Sequence, residues 1–411
     1  MKNIDRHIHL EGAISTETVW RIMTVIEEDT TKVQKEDFWN WVVFDEPYIP
    51  EKKIQRFSNI NSIDDAKKIF LDGTIQERRR YLEYTGGITN TSIAHENTGF
   101  RHFMNRCYGI RAVLFRPGSP YYDTSISKKI MCLALRDISS QAEDQSISAL
   151  HLRFKFDRLN CSLAAHYNMD FMKTVFAIAS QIERDSGVGL RFYLPLRRNP
   201  TRQIRNANCE FSSDVYTWFD QRWLRPLSEL SVQELDRIAG VDIVGNENHK
   251  DDTPADLKNN LCYINYFIKG LQKLKKEKIG GYSDKITVTA HVGENYGARV
   301  ARGLEILENV VDDLDDLNFI IHGTILGRAD ETTFHRIVTK IKDKGIGVLA
   351  SIYSNLHTGV IGKPSEYPAW RLATAGVQLF PSSDDPGASG ITFSMEKRLL
   401  ETIIGGKNVS Q

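Results

Sequence analysis

The segment Ile286-Thr287-Val288-Thr289-Ala290-His291-Val292-Gly293-Glu294 is an apolar, β-branched run that ends in ionisable residues. A run of this kind is typical of a strand buried on both faces of a parallel sheet. Seven further runs of the same type occur along the chain. In order, the eight predicted strands are Ile4–Leu10, Ile147–Phe156, Val188–Leu194, Ala239–Gly245, Ile286–His291, Phe319–Gly323, Gly345–Ser351 and Val377–Pro381.

Helical patterns lie between several of these runs. Leu261–Lys278 places apolar residues on one side and lysines on the other, and Gly297–Val311 and Thr332–Lys344 are predicted helices as well. Strands that alternate with helices predict a parallel sheet. Eight strands favour closure into an α/β fold of the (β/α)8 TIM barrel type, with a doubly wound open sheet as the alternative.

The connection between the first two strands, residues 15–145, is far longer than a simple barrel connection needs. It contains Trp20, Trp39 and Trp41, so we expect a folded segment. A large insertion after the first strand of a barrel lies over the catalytic face. We therefore predict one domain over residues 1–411, with 15–145 as an inserted helical cap; a decorating subdomain without a catalytic role is the alternative.

Composition excludes several classes of protein. The 411 residues include 53 basic and 53 acidic side chains, and this balance argues against binding nucleic acid through bulk charge. No apolar run approaches the ~18 residues that span a bilayer, and the N-terminus lacks the apolar stretch of a signal peptide. The five cysteines are scattered, which fits a reducing cytoplasm and neither disulfides nor a cysteine zinc site.

Ionisable residues mark the ends of four predicted strands. Each alone has a plainer interpretation, such as a packed histidine or an Asp-Asp-Pro turn. Together they fall at carboxyl ends of strands, where barrel enzymes collect their active-site groups. Three imidazoles and a carboxylate there would suit zinc or another borderline divalent ion. The residues are His7 and His9 at the first strand, His291 at the fifth, His322 at the sixth, and Asp384 and Asp385 after the eighth.

In their order along nearly the whole chain, these stretches resemble the motifs of the adenosine deaminase family of the amidohydrolase superfamily. A weaker match is Val241-Asp242-Ile243-Val244-Gly245. The principal matches are His7-Ile8-His9-Leu10-Glu11-Gly12, His291-Val292-Gly293-Glu294, His322-Gly323, Ser354-Asn355-Leu356-His357-Thr358 and Asp384-Asp385-Pro386.

The resemblance implies a barrel with one divalent metal ion, expected to be zinc, held by His7, His9, His291 and Asp384. The metal would activate a water molecule for attack on the purine carbon that bears the amino group.

Five further residues receive roles from the resemblance. Glu294 would protonate ring nitrogen N1, and His322 would orient or deprotonate the water and stabilise the developing alkoxide. Asp385 would bind the N7 face and the Gly245 amide would meet N3, while Glu11 would face the ribose 5′-hydroxyl. The alternatives are a helix N-terminal acid for Glu294, a packed strand histidine for His322 and a simple strand end for Gly245.

Two features depart from the family pattern. Phe319-Ile320-Ile321 replaces the usual Arg-(Ile/Val)-Gly, and Ser351-Ile352-Tyr353 replaces a Cys-Pro lead-in. The chain also ends 26 residues after Asp385, where relatives generally carry a longer helical tail. We predict a homo-oligomer in which a neighbouring subunit covers that side; a reduced set of terminal helices is the alternative.

Glu11 and the arginines favour different substrates. A carboxylate at position 11 would repel a 5′-phosphate, whereas forked guanidiniums suit phosphate. We therefore predict deamination of an adenine nucleoside, adenosine or deoxyadenosine, in the cytoplasm. The alternatives are an adenine nucleotide (AMP, dAMP or ATP) in antiviral defence, another hydrolase of the superfamily, and an idle purine-nucleotide sensor. The candidate phosphate-binding arginines are Arg78, Arg79, Arg80, Arg153, Arg197, Arg198, Arg202 and Arg205.

Overall fold

The computed structural model describes the greater part of the chain. Its described residues are 3–45, 54–55, 57, 59–83, 113–114, 124–154, 156, 169–198, 215–245, 254–280, 285–294 and 299–405.

Eight strands form one parallel sheet in which each strand pairs with the next along the chain. All eight predicted strands are confirmed, and their ends differ from the predicted ones by no more than three residues. The strands are β1 (Asn3–His9), β2 (Ile147–Arg153), β3 (Gly189–Arg197), β4 (Ile238–Val244), β5 (Thr287–Val292), β6 (Leu317–His322), β7 (Gly347–Ala350) and β8 (Leu379–Pro381).

The sheet closes between its first and last strands. Ile8 forms a parallel bridge with Asp384. The His9 amide donates to the Asp384 carbonyl at 2.9 Å, and the Asp384 amide donates to the His7 carbonyl at 3.1 Å. The fold is therefore the predicted (β/α)8 barrel. Three of the four candidate metal ligands lie at the seam that closes it, so the backbone pairing itself brings them together.

Amphipathic helices cover the outside of the barrel. Glu331–Asp343 is typical: the Asp330 side chain caps its N-terminus at the Thr333 amide, and the apolar face of the helix is buried. The predicted helices are confirmed, although residues 297–298 of one lie outside the described part. No helix in the described residues has the length and apolarity to cross a bilayer. The helices that follow β2 to β8 include Met169–Ser186, Pro254–Lys278, Val300–Asp313, Glu331–Asp343, Ile352–His357, Ala369–Thr374, Pro386–Ser389 and Phe393–Ile404.

The described part of the segment between β1 and β2 is mainly helical. Its core includes the fully buried Phe38 and Trp39. The Ser15 hydroxyl donates to Asp137 at 2.9 Å, which ties the first and last parts of the insertion together. Its position over the catalytic face stays a prediction. The helices are Thr16–Asp29, Lys32–Val43, Ile63–Lys67, Lys68–Asp72, Ile75–Leu82 and Thr124–Asp144, and a two-stranded ribbon joins Phe44–Asp45 to Ile54–Gln55.

Candidate metal centre

Four side chains converge at the carboxyl end of the barrel. One potential ligand atom from each of His7, His9, His291 and Asp384 lies within 4.8 Å of the other three. The Nε2 atoms of His7 and His9 are 3.2 Å apart, as are those of His9 and His291. Asp384 Oδ1 lies 3.4 Å from His9 Nε2 and 3.7 Å from His7 Nε2.

These separations fit a cation. For zinc bonded to nitrogen or oxygen at about 2.0–2.1 Å, tetrahedral ligand atoms lie about 3.3 Å apart. Lone pairs of neutral imidazoles that face one another at such distances repel unless a positive charge lies between them. The residues present therefore fit a mononuclear divalent metal site.

The pKa values of the ligands favour their metal-binding forms. Burial lowers the pKa of His7 well below its ordinary value and that of His9 to about 4, so both rings are neutral at pH 7. Burial alone would raise the pKa of Asp384, but the nearby imidazoles of His322 and His9 outweigh burial and hold it below its ordinary value. His7 and His9 thus supply neutral imidazoles and Asp384 a carboxylate. His291 is the exception: burial would lower its pKa, but the charge and hydrogen bond of Asp242 raise it above its ordinary value.

His291 is oriented by a buried carboxylate. Its Nδ1 lies 3.2 Å from both oxygens of Asp242, which also accepts from the Thr289 hydroxyl at 2.8 Å and from Arg153 Nε at 3.3 Å. Burial would raise the pKa of Asp242, but its contact with His291 and the charge of Arg153 hold it well below its usual range. A carboxylate here accepts Nδ1–H and leaves the Nε2 lone pair for a metal.

The other ligands have supports from different elements. His7 Nδ1 lies 3.1 Å from the Ser382 hydroxyl, which follows β8. The Arg198 guanidinium donates to the backbone carbonyl of His291. The first contact orients the His7 ring and the second holds the backbone at His291, and such supports help to preorganise a site.

Glu294 and His322 lie next to the cage. His322 Nε2 is 3.7 Å from Glu294 Oε1 and 3.9 Å from Asp384 Oδ2. Its Nδ1 lies 3.3 Å from the Asn355 side-chain amide, and the Tyr367 hydroxyl donates to its carbonyl at 2.6 Å. The structure therefore brings both predicted catalytic residues to the edge of the four-ligand cluster.

Two of the four non-glycine residues with a positive φ in the described part of the chain lie at this site. His322 has φ of 70° and Asp384 has φ of 60°, the left-handed region that side chains other than glycine rarely adopt. Such residues cluster at functional sites, where the surrounding contacts hold them.

The predicted substrate-binding residues also lie at this end of the barrel. Glu11 is buried in the short helix Leu10–Ala13, directly after His9. A Cβ on Gly12 would lie 1.7 Å from Asp385 Oδ1, so only glycine at position 12 lets the Asp385 side chain occupy its place. Gly245 is exposed and follows the end of β4. The contacts of Glu11, Asp385 and Gly245 with a purine stay predictions.

Sequence reasoning missed the residues that orient the histidines. Asp242 could have been recognised because a charged residue interrupts the apolar run of β4, and a buried charge needs a partner. Asn355 lay in a matching motif but received no role. Ser382 gave no signal, since serine is ordinary in a turn.

The fold and the site define a (β/α)8 barrel with a candidate mononuclear metal centre at its carboxyl end. No protein-family model matches the chain. Solved structures with the same fold include deaminases. The Arabidopsis protein ADAL, complexed with IMP, is 14% identical over 98% of this chain and 86% of its own, with a TM-score of 0.54.

Two bacterial structures are similar to the same extent. The adenine deaminase of Arthrobacter aurescens is 12% identical over 98% of this chain and 88% of its own, with a TM-score of 0.54. An amidohydrolase from Burkholderia ambifaria with bound zinc is 12% identical over 98% and 81%, with a TM-score of 0.51. At these identities the comparisons show a shared fold.

Proposed function

We propose that the chain is a metal-dependent deaminase of the adenosine deaminase family. It would convert an adenine nucleoside, adenosine or deoxyadenosine, to the inosine product and ammonia. The observation that carries the proposal is the convergence of His7, His9, His291 and Asp384 with Glu294 beside them. The similarity in fold to an adenine deaminase and to a zinc-containing amidohydrolase supports it.

The four ligands would hold one divalent ion, with zinc as the expected one. Such an ion would supply a water molecule whose pKa is lowered toward neutrality. His7 and His9 contribute neutral rings, and Asp242, which lies 3.2 Å from Nδ1 of His291, turns Nε2 of that ring toward the cage.

Glu294 is the proposed acid for the purine ring. Its carboxyl group lies at the edge of the cage, and protonation of N1 would make the carbon bearing the amino group electrophilic. Asp385, which packs over Gly12, would receive the N7 side of the base. The Gly245 amide would meet N3, and Glu11 would meet the sugar.

Three of the eight candidate arginines support a nucleoside more than a nucleotide. Arg153 pairs with Asp242 inside the barrel, Arg198 donates to the His291 carbonyl, and Arg78 donates to the backbone carbonyls of Phe70 and Leu71. These three guanidiniums thus bind groups of the protein itself. Arg202 and Arg205 lie outside the described residues.

A nucleotide substrate is the second candidate, because a structure with this fold contains IMP. A role in antiviral defence would belong to that candidate. Ammonia release should therefore be measured with adenine, adenosine, deoxyadenosine, AMP, dAMP and ATP. We expect the highest kcat/KM with adenosine or deoxyadenosine. A higher kcat/KM with a nucleotide would make that nucleotide the substrate. If zinc-loaded protein releases ammonia from none of the six compounds, the deaminase is excluded and a sensor is favoured.

A further inference from the structure

Asn355 is a buried side chain with three polar contacts. Its Nδ2 donates to the Ser351 carbonyl at 2.7 Å, and its Oδ1 accepts from the Thr324 hydroxyl at 3.1 Å. The same Nδ2 lies 3.3 Å from Nδ1 of His322. Asn355 belongs to the helix Ile352–His357, which directly follows β7.

The contacts fix the orientation of this amide. A backbone carbonyl can only accept, so the Asn355 atom beside the Ser351 oxygen must be the NH2 group. The opposite side of the amide is then the oxygen, which is matched by the Thr324 hydroxyl. An amide nitrogen carries two hydrogens, and the second one faces His322.

The orientation of the amide decides where His322 carries its proton. Because Asn355 donates to Nδ1, that nitrogen must be the acceptor, and a neutral imidazole then has its hydrogen on Nε2. We infer that Asn355 is a positioning residue that makes His322 a hydrogen-bond donor at Nε2. That nitrogen faces the gap between Glu294 and Asp384, at 3.7 Å and 3.9 Å.

The inference rests on the proposed function and divides its chemistry between two residues. A ring that already carries hydrogen on Nε2 cannot take a proton there, so His322 donates to the oxygen that adds to the purine carbon. Glu294 gives its proton to N1, and as the oxygen–carbon bond forms, one O–H bond of water breaks and Glu294 takes that proton in return. The remaining hydroxyl proton moves to the amino nitrogen, the carbon–nitrogen bond breaks, and ammonia leaves.

The tautomer can be read directly. Protein labelled with [15N]histidine and loaded with zinc is examined without substrate by long-range 1H–15N correlation at about pH 8, where an ordinary imidazole with a pKa of about 6.5 is neutral. His322→Gln identifies the signals of His322 by their loss. We expect the Nε2–H pattern, and an Nδ1–H pattern would overturn the inference. The readout needs no turnover, so it stands apart from failure of the deaminase proposal.

Two variants link the tautomer to catalysis. Asn355→Asp replaces the donor with an acceptor, so the ring proton should move to Nδ1. We then expect kcat to fall about 100-fold with KM little changed, as for loss of one donor to a developing oxyanion. Thr324→Val is the matched control: it removes the hydroxyl that donates to Asn355 Oδ1 and should keep the Nε2–H pattern.

The outcomes separate positioning from a structural role. A moved proton with kcat within about threefold of wild type would overturn the donor role. If Asn355→Asp does not fold, the spectra of wild type and Thr324→Val still decide the tautomer.

Discussion

His291 and His322 end neighbouring strands, β5 and β6, yet the structure supports their rings with opposite chemistry. Nδ1 of His291 faces the Asp242 carboxylate, whereas Nδ1 of His322 faces the Asn355 amide. A carboxylate accepts a hydrogen and leaves Nε2 as a lone pair, which can bind a metal. An amide N–H donates and leaves hydrogen on Nε2, which can stabilise negative charge.

The difference teaches that the partner of a histidine, more than its position, determines its role. Both rings are buried and both lie at the carboxyl end of the barrel. Burial alone would lower the pKa of His291, yet the Asp242 charge and hydrogen bond outweigh burial and raise it above its ordinary value. On the proposed function, one site would therefore contain a ligand and a donor built from the same residue type.

The largest expected effect separates turnover from metal binding. Glu294→Gln removes the acid beside His322 and leaves the Asp242–His291 pair intact. We expect kcat to fall about 10²–10⁴-fold, the usual contribution of a general acid or base, while zinc content persists. Ammonia release measures kcat, and elemental analysis measures the zinc content. Glu305→Gln, an exposed change on the following helix, should alter neither; full turnover by Glu294→Gln would contradict the assigned role.

An intermediate effect is expected at the carboxylate that supports His291. Asp242→Asn weakens the acceptor for Nδ1–H and leaves Arg153 without its charged partner. We expect zinc affinity to fall about 10–100-fold, measured by competition with a chromophoric chelator. The exposed Asp343→Asn is the control. An affinity for zinc equal to that of wild type would show that Asp242 does not orient a ligand.

The last prediction concerns stability and not turnover or metal binding: Glu396 supports the helix that carries Asn355. Its carboxyl group accepts from the backbone amides of Ile352 and Tyr353, and burial raises its pKa from 4.5 to about 8. The unfolded chain releases this proton near pH 4.5 while the folded chain keeps it. The free energy of unfolding should therefore fall, by a few kcal/mol, as pH rises from about 4.5 to about 8.

Glu396→Gln tests this pH dependence because glutamine cannot ionise. In chelator-treated protein, denaturant unfolding of the variant should show a smaller decline over the same pH interval. Glu401→Gln, an exposed change on the same helix, should keep the wild-type slope. Parallel curves for wild type and Glu396→Gln would mean that Glu396 does not hold its proton in the folded state.

Local patterns predicted the strands and the ionisable residues at their ends, and the resemblance to the adenosine deaminase family selected the ligand set among them. Apolar runs mark β1 to β8, and the closed parallel barrel brings their carboxyl ends together, so His7, His291 and Asp384 had to converge. The same reasoning could not predict that Asp242 and Asn355 contact the histidines. Their contacts depend on which way side chains of neighbouring elements point, and sequence spacing does not set that direction.

The arginines are a second case in which the sequence alone could not predict the contacts of a side chain. As residue types, Arg153 and Arg198 suggested phosphate binding. The structure uses Arg153 to neutralise Asp242 and Arg198 to bind a backbone carbonyl. A charged side chain that could bind a ligand can instead pair with a buried group of the protein, and only the tertiary structure shows which group that is.

The central claim is that three imidazoles and one carboxylate hold a single ion. Zinc X-ray absorption of the metal-loaded protein, with stoichiometry from the same sample, tests it most directly. We expect one zinc per chain with a nitrogen and oxygen shell at about 2.0–2.1 Å and the outer-shell scattering of imidazole rings. Zinc well below one per chain, or a sulfur shell at about 2.3 Å, would contradict the account.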